Sequence, residues 1–488
     1  MSIALALKLA LFVPLLGALL IVLTGSRPNL REAVTLVTAV TLFGLVMRIA
    51  LGLDSAPMVE VTLIEMLPGL SISLHNEGLS ILFAAIASGL WIVTSVYSIG
   101  YMRGNKEQHQ TRFYACFAIA LSGAMGVAFA SNLLTLFIFY EVLTLSTYPL
   151  VAHKEDDNAK RGARTYLGIL LATSIGLLLP AIIWTWSVAG TLDFMPGGIL
   201  AGKLSEPMAG ILLVMFVLGV GKAAVMPVHR WLPAAMVAPT PVSALLHAVA
   251  VVKAGVFSIT KIGLYTFGQD FLAVVTTDHF IVYLVGFTII AASTVALRQT
   301  NLKRMLAYST VSQLSYIVLA ALVLSPAREL GAALHITAHA FGKITLFFAA
   351  GAIYVASKKT EIPQLSGIGR RMPWTMAAFT IGALSMIGVP PTAGFVSKWF
   401  MISGAFEHDN YFVLAVLSVA TGLNAGYFLP IIFRAFFDTE AQPVKKDHGE
   451  APWPMVVALM TTAALVLLFF VFNAPIVALE YGLVKGAG

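Results

Sequence analysis

The chain has 488 residues, of which 59% are hydrophobic and only 11% charged, and its mean hydropathy is +0.89. Soluble domains carry about 25% charged residues, so this balance excludes an ordinary soluble protein. The formal charge of +7 is distributed along the apolar segments rather than gathered in one patch, which argues against nucleic acid as a partner, and the one cysteine, Cys116, excludes an internal disulfide and argues against a cysteine-ligated iron–sulfur cluster.

Apolar windows of about 20 residues, the length that crosses a bilayer as a helix, recur from end to end. The chain reads as an all-α polytopic membrane protein of about fourteen spans. They fall near 5–24, 31–53, 78–99, 111–130, 132–152, 162–188, 208–227, 239–264, 279–297, 304–324, 330–356, 374–403, 411–436 and 454–478. The first is too long for a cleaved signal core and lacks a basic start, so it is kept as a helix. The longest polar stretches are 54–77 and 437–453, and no soluble domain interrupts the series.

Basic residues fix an expected topology. One side collects Arg27, Arg31, Arg103, Lys106, Arg112, Lys154, Lys160, Arg161, Arg164, Arg230, Arg298, Lys303, Arg304, Lys358, Lys359, Arg370, Arg371, Lys445 and Lys446. The opposite loops hold only Lys203, Lys261 and Arg328. The positive-inside rule then places both termini outside the cytoplasmic (inner) cell membrane. The loop after the second span, with Asp54, Glu60, Glu65 and Glu77, is expected on the outer side.

Two segments look interrupted: Pro227, Pro233, Pro239 and Pro241 follow Lys222, and Pro390 and Pro391 precede Lys398. Proline inside a span frees carbonyls, which is tolerated where the break lines a polar cavity. Paired breaks are the sequence pointer to an inverted repeat, with spans 4–8 and 9–13 as its halves and breaks in the seventh and twelfth. The implied units are residues 1–110 (spans 1–3), 111–265 (first repeat), 266–438 (second repeat) and 439–488 (last span). Two unrelated proline kinks are the plainer alternative.

Ionisable groups inside spans are costly and usually functional. Glu141, ten residues into its span, and Lys222 are each the one charge in their span, so they form a candidate pair whose separation would alter both protonation states. A static buried ion pair is the competing reading. His335, His339 and Lys343 are spaced by four and share one helix face, as a water-bridged proton relay would. His247 and Lys253, six apart, do not share a face cleanly. The HxxxH spacing also admits a metal pair, but no glutamate follows the first histidine as in HExxH, and no metal is expected. Lys303, at the start of a span, either snorkels to the interface or guards an entrance. Arg230 and His229 either serve the inner mouth or anchor the interface. No GxSxG elbow, phosphate loop or dinucleotide fingerprint is present, so no cofactor or catalytic site is expected, and driving energy must come from an ion gradient or an attached module.

The runs GKAAVMPVHRWLPAAMVAPTPVSALLHA, LKRMLAYSTVSQLSYI, HITAHAFGK and GALSMIGVPPTAGFVSK, in order between about residues 110 and 435, resemble the antiporter-like proton-translocating subunits. These occur in complex I, Mrp-type cation/proton antiporters and membrane-bound hydrogenases. The resemblance implies a fourteen-helix core with a central polar axis. It casts Glu141 and Lys222 as the interacting pair, His247, His335 and His339 with Lys343 as the central relay, and Lys398 as the exit-side lysine; VVKAGVF, with Lys253, resembles several members outside complex I. The chain departs from the pattern in two places: the sixth span offers only hydroxyls near Lys222, and Asn301 replaces an acid before LKR. The expected function is proton translocation, with exchange for Na⁺ as a variant, in a lipid-embedded complex with other membrane subunits. The alternative makes the chain the proton channel of a redox, hydrogenase or CO₂-hydrating partner.

Overall fold

The computed structural model describes every residue except 54–57, 277–279, 324–325, 441–448, 475–476 and 478–488, together with the side chains of 276 and 326–329. Asp54, Lys445, Lys446 and the side chain of Arg328 therefore lie outside the described residues.

The helices run α1 (Ile3–Leu23), α2 (Pro28–Ala50), α3 (Gly78–Gly104), α4 (Gln110–Ala128), α5 (Leu133–Val151) and α6 (Asp157–Ala189), then α7 (Glu206–Gly219) and α8 (Thr240–Phe267). After these come α9 (Phe280–Leu297), α10 (Leu302–Leu322), α11 (Pro326–Ser357), α12 (Pro373–Ile387), α13 (Ala393–Glu407), α14 (Tyr411–Phe437) and α15 (Trp453–Val471). Twelve described helices are long and apolar enough to cross a membrane. The α7 segment and the α12–α13 segment complete fourteen, each broken just before its prolines. The polytopic helical fold is as expected.

Side-chain caps start several helices. Asn132 accepts from the amide of Thr135 at 2.8 Å, Asp156 from that of Ala159 at 2.7 Å and Asn301 from that of Arg304 at 3.1 Å. The Asp156 cap starts α6 at Asp157, so Lys160 and Arg161 lie in its first turns rather than in the expected loop. Between α2 and α3 the expected polar stretch holds an antiparallel hairpin, β1 (Glu60–Leu67) and β2 (Leu70–His75), turning through Gly69 at φ +78°. The alternation of apolar and polar residues along β2 is a strand signal inside a stretch that polarity alone reads as loop.

Burial orders the bundle. The most apolar windows of α8 and α10 are 100% and 94% buried, against 39% for α2, α14 and α15. The helices α8 and α10, with α11 at 78%, are thus among the most buried, and they carry seven of the ionisable groups: His247, Lys253, Lys261, Lys303, His335, His339 and Lys343.

The first break differs from the expectation in detail. Span 7 was expected to run to 227, but α7 ends at Gly219, and the chain passes through a short turn, Gly221–Ala223, before any of the prolines. Span 12 is interrupted as expected: α12 stops at Gly388, which has φ +94°, and α13 restarts at Ala393 beyond Pro390 and Pro391.

Candidate functional site

Lys222 occupies the first break itself and is wholly buried. Its ammonium donates to the Tyr140 carbonyl at 2.9 Å and to Thr144 Oγ1 at 2.5 Å, and lies 3.1 Å from the centroid of the Tyr140 ring. The Lys222 amide donates to the Tyr140 hydroxyl at 3.1 Å. Two features tighten this turn. Trp231 Nε1 donates to the Gly221 carbonyl at 2.8 Å, and α8 approaches so closely at Gly255 that a Cβ there would collide with the backbone of Lys222 and Ala223.

Glu141 follows Tyr140 on α5, yet it makes no ion pair with Lys222 within 4 Å. Both its carboxylate oxygens are buried without a hydrogen-bond partner among the described residues. The expected partners are thus neighbours not in contact: Lys222 binds the α5 backbone and a hydroxyl, and the carboxylate stands apart. On the sixth span, Thr173 bonds the carbonyls of its own helix beside Gly221.

In α8 the helix widens into a π-turn over Leu245–Val249 and its register resets at Ala250. Such insertions rotate the following residues. His247 lies on the Phe347 ring with centroids 4.6 Å apart, and both of its ring nitrogens lack a hydrogen-bond partner among the described residues. Lys253 Nζ sits 2.7 Å from His339 Nδ1. Sequence spacing could not foresee that pair, because its members lie 86 residues apart on different helices.

The three groups on α11 are buried on one face, as their spacing predicted. The His335 and His339 rings are 6.2 Å apart. His335 Nδ1 meets Ser397 Oγ at 2.8 Å, and its Nε2 meets Gln313 Oε1 at 3.0 Å. Lys343 donates to Ser309 Oγ at 2.7 Å and to the Leu306 carbonyl at 3.3 Å.

Lys398 on α13 reaches back across the second break. Its ammonium donates to the Met386 and Ile387 carbonyls at 2.8 and 2.9 Å, the freed C-terminus of α12, and lies 5.0 Å from the Tyr316 ring. A cation at a helix C-terminus is favoured by the dipole and satisfies orphan carbonyls. Asn424 donates to the same Met386 carbonyl at 3.3 Å and accepts from Tyr427, whose hydroxyl lies 2.9 Å from Ser309. Lys398 and Lys343 are therefore linked through Met386, Asn424, Tyr427 and Ser309. Sequence reasoning missed Ser309, Gln313, Asn424 and Tyr427; the one signal available was polar side chains inside apolar spans.

Lys303 is partly buried and donates to the Ala238 carbonyl at 2.6 Å, one residue before Pro239. Asn301 donates to Glu361 at 2.9 Å, so an acid does stand near this helix start, from another segment. Arg230 is exposed.

The sequence places Lys261 in a loop, and the structure corrects this; Glu77 lies where expected, at the end of the polar stretch, but is buried. Lys261 is on α8, wholly buried, and pairs with Glu77 Oε1 at 2.7 Å just before α3. No metal-binding group of three His, Cys, Asp or Glu side chains occurs among the described residues.

Residues 130–424 match the family described as NADH:quinone oxidoreductase/Mrp antiporter, transmembrane. The chain is 32% identical to NADH-quinone oxidoreductase subunit N of Desulforudis audaxviator, over 83% of this chain and 85% of that protein. It is 33% identical to Na⁺/H⁺ antiporter subunit A1 of Staphylococcus haemolyticus, over 83% of this chain but about half, 53%, of that longer protein. Its fold matches a chain in the structure of the Mrp complex from Dietzia with a TM-score of 0.87 and 21% identity, covering 98% of this chain and 96% of that one.

Proposed function

Starting from the fact that the chain belongs to the NADH:quinone oxidoreductase/Mrp antiporter transmembrane family, we propose that it is a proton-translocating subunit of a larger membrane complex. The observation that carries this reading is the inner row itself: Lys253 against His339, His339 beside His335, and Lys343 joined to Lys398 by two hydroxyls, the Asn424 amide and the Met386 carbonyl. Unpaired amines at bilayer depth cost at least a few kcal/mol, and a structure with only a scaffold role gains nothing from keeping them.

Unmet polar atoms support a hydrated row. His247, His339 Nε2 and Gln313 Nε2 are buried without partners among the described residues. Each such group costs about 1–3 kcal/mol unless water satisfies it, so water beside them stabilises the fold and bridges the carriers.

In this reading Glu141 and Lys222 are the switch. Glu141 and Thr144 are neighbours on one helix face, three residues apart, so a rotamer change can exchange Thr144 for the carboxylate as the ammonium's partner. The observed spacing is then the disengaged form. Engagement holds the proton on Lys222; release of the carboxylate lets it pass to the row. Each charge moved against 100 mV costs about 2.3 kcal/mol, within reach of such a rearrangement in a low dielectric.

The two halves, 111–265 and 266–438, flanked by 1–110 and 439–488, each contribute one broken span with a lysine at the break. The basic residues put both termini outside the inner membrane. Exchange of H⁺ for Na⁺ is the antiporter form of this function, and an energised partner enzyme is the other. The test is Lys222→Ala in the native complex, purified with its other chains and placed in vesicles. Loss of proton translocation with assembly intact supports the switch; transport at the parent rate removes it. The co-purified chains decide which complex is served.

A further inference from the structure

Away from the inner row, at the hairpin end of α3, three titratable side chains meet in a buried pocket. Lys261 Nζ has four acceptors: Glu77 Oε1 at 2.7 Å, the Ala130 carbonyl at 2.8 Å, His75 Nε2 at 3.1 Å and Ser80 Oγ at 3.3 Å. His75 Nε2 is also 3.6 Å from Glu77 Oε2, and Ser80 donates to Glu77 Oε1 at 2.8 Å. All four side chains are at most 5% exposed. An ammonium carries three donors, so one of its four acceptors is always left over. A static ion pair needs only Lys261 and Glu77, whereas the added imidazole provides a seat for a second proton with a carboxylate beside it.

The cluster also lies on the helix that carries the row. Lys261 follows Lys253 by eight residues on α8, about 12 Å along the axis. Phe257 stands midway, its ring 5.5 Å from the Lys261 ammonium and 5.0 Å from the ring of Phe83 on α3. Phe257 is four residues from each of Lys253 and Lys261 on α8, with the Phe83 ring against it. On the far side, β2 ends at His75 and pairs with β1, whose Glu60 and Glu65 are exposed. The adjoining loop brings Phe194 to 4.8 Å from the ammonium and exposed Asp193 into a bridge with Asn132.

We propose that Lys261, Glu77 and His75 form a second proton-binding site, which exchanges protons between the inner row and the aqueous phase at the hairpin face, with Phe257 and Phe83 as its gate. This rests on the reading of the row as a proton path. The step is a proton hop: water wetting the gate delivers a proton to His75 Nε2 while Lys261 shifts its donation to Ala130 and Ser80. Glu77 stays ionised throughout and holds the extra positive charge until the proton leaves past β1.

The experiment uses the native complex in vesicles and follows proton flux against pH. His75→Gln keeps an acceptor for Lys261 but cannot hold a proton. The site predicts that assembled His75→Gln loses at least about tenfold in flux, with an altered pH profile. A merely structural role predicts parent-like flux and profile, and that result overturns the proposal. Phe257→Ala is expected to leak protons in the resting complex and Phe257→Leu to stay tight; a tight Phe257→Ala contradicts the gate. Lys343→Ala serves as reference. If it loses flux while His75→Gln does not, the row stands and this site alone falls; if Lys343→Ala transports normally, the underlying reading fails first.

Discussion

Single side chains decide whether the inner row conducts. Ser309 is the hydroxyl between Lys343 and Tyr427. Ser309→Ala removes one hydroxyl without changing charge, so flux in the assembled complex should fall several-fold while the complex purifies normally. Equal flux would mean that the Lys343–Lys398 connection is incidental. At this scale the sequence was partly legible. The charged residues announced themselves by being charged inside apolar runs, and the spacing of His335, His339 and Lys343 set their common face. Ser309, Gln313, Asn424 and Tyr427 were not legible, because hydroxyls and amides inside spans usually satisfy their own helix backbone, as Thr147 and Ser315 do here. Lys261 was misplaced for a related reason: it stands near the end of an apolar run, where a lysine normally snorkels.

Elements place those side chains, and their faults matter more than their regular turns. Gly255→Ala should push α8 off the Lys222 turn and lower both folded yield and transport, since the added methyl meets backbone rather than a mobile side chain. Gly168→Ala, which meets nothing within 4 Å, is the neutral control in the same thermal-unfolding measurement. At the second break, Lys398→Met leaves the buried Ile387 carbonyl without its donor, while Asn424 still serves the Met386 carbonyl. A loss of about 1–3 kcal/mol per unmet group is expected in unfolding experiments, beyond any effect on flux. The prolines marked both breaks in the sequence, but they lie beyond the points where α7 and α12 end. The π-turn at 245–249 has no sequence mark, and it immediately precedes the stretch of α8 that carries Lys253 to His339.

The loop after α5 adds a pH dependence. Burial, with Arg112 beside it, lowers the His153 imidazole to about 4, below its ordinary value. Its neutral form therefore belongs to the folded state. The stability it contributes is complete above the unfolded value near 6.5, and it is lost as pH falls from there toward 4, by up to about 1.4 kcal/mol per pH unit. His153→Phe should flatten thermal stability across that window; an unchanged slope would assign the acid sensitivity elsewhere. Glu155, exposed nearby, is held below its usual range by its hydrogen bond to Arg112; what it contributes is present above the ordinary carboxylate value of 4.5 and starts to be lost only at the acid end of the same window.

Over the whole molecule, the outer helices face lipid with apolar residues, and the inner helices α8, α10 and α11 hold the ionisable row. That separation follows from the bilayer as solvent: a charge can stay at depth only where protein or water surrounds it. The number of spans and the two breaks could be read from hydropathy and proline, whereas the β1–β2 hairpin and the cluster it covers could not, because their partners are distant in the chain. The account's central claim is that the buried amines and imidazoles pass protons. The direct measurement is proton flux through the native complex in vesicles, comparing the parent with Lys343→Ala at matched assembly. A fall of about tenfold or more is predicted. Flux equal to the parent's would contradict the account.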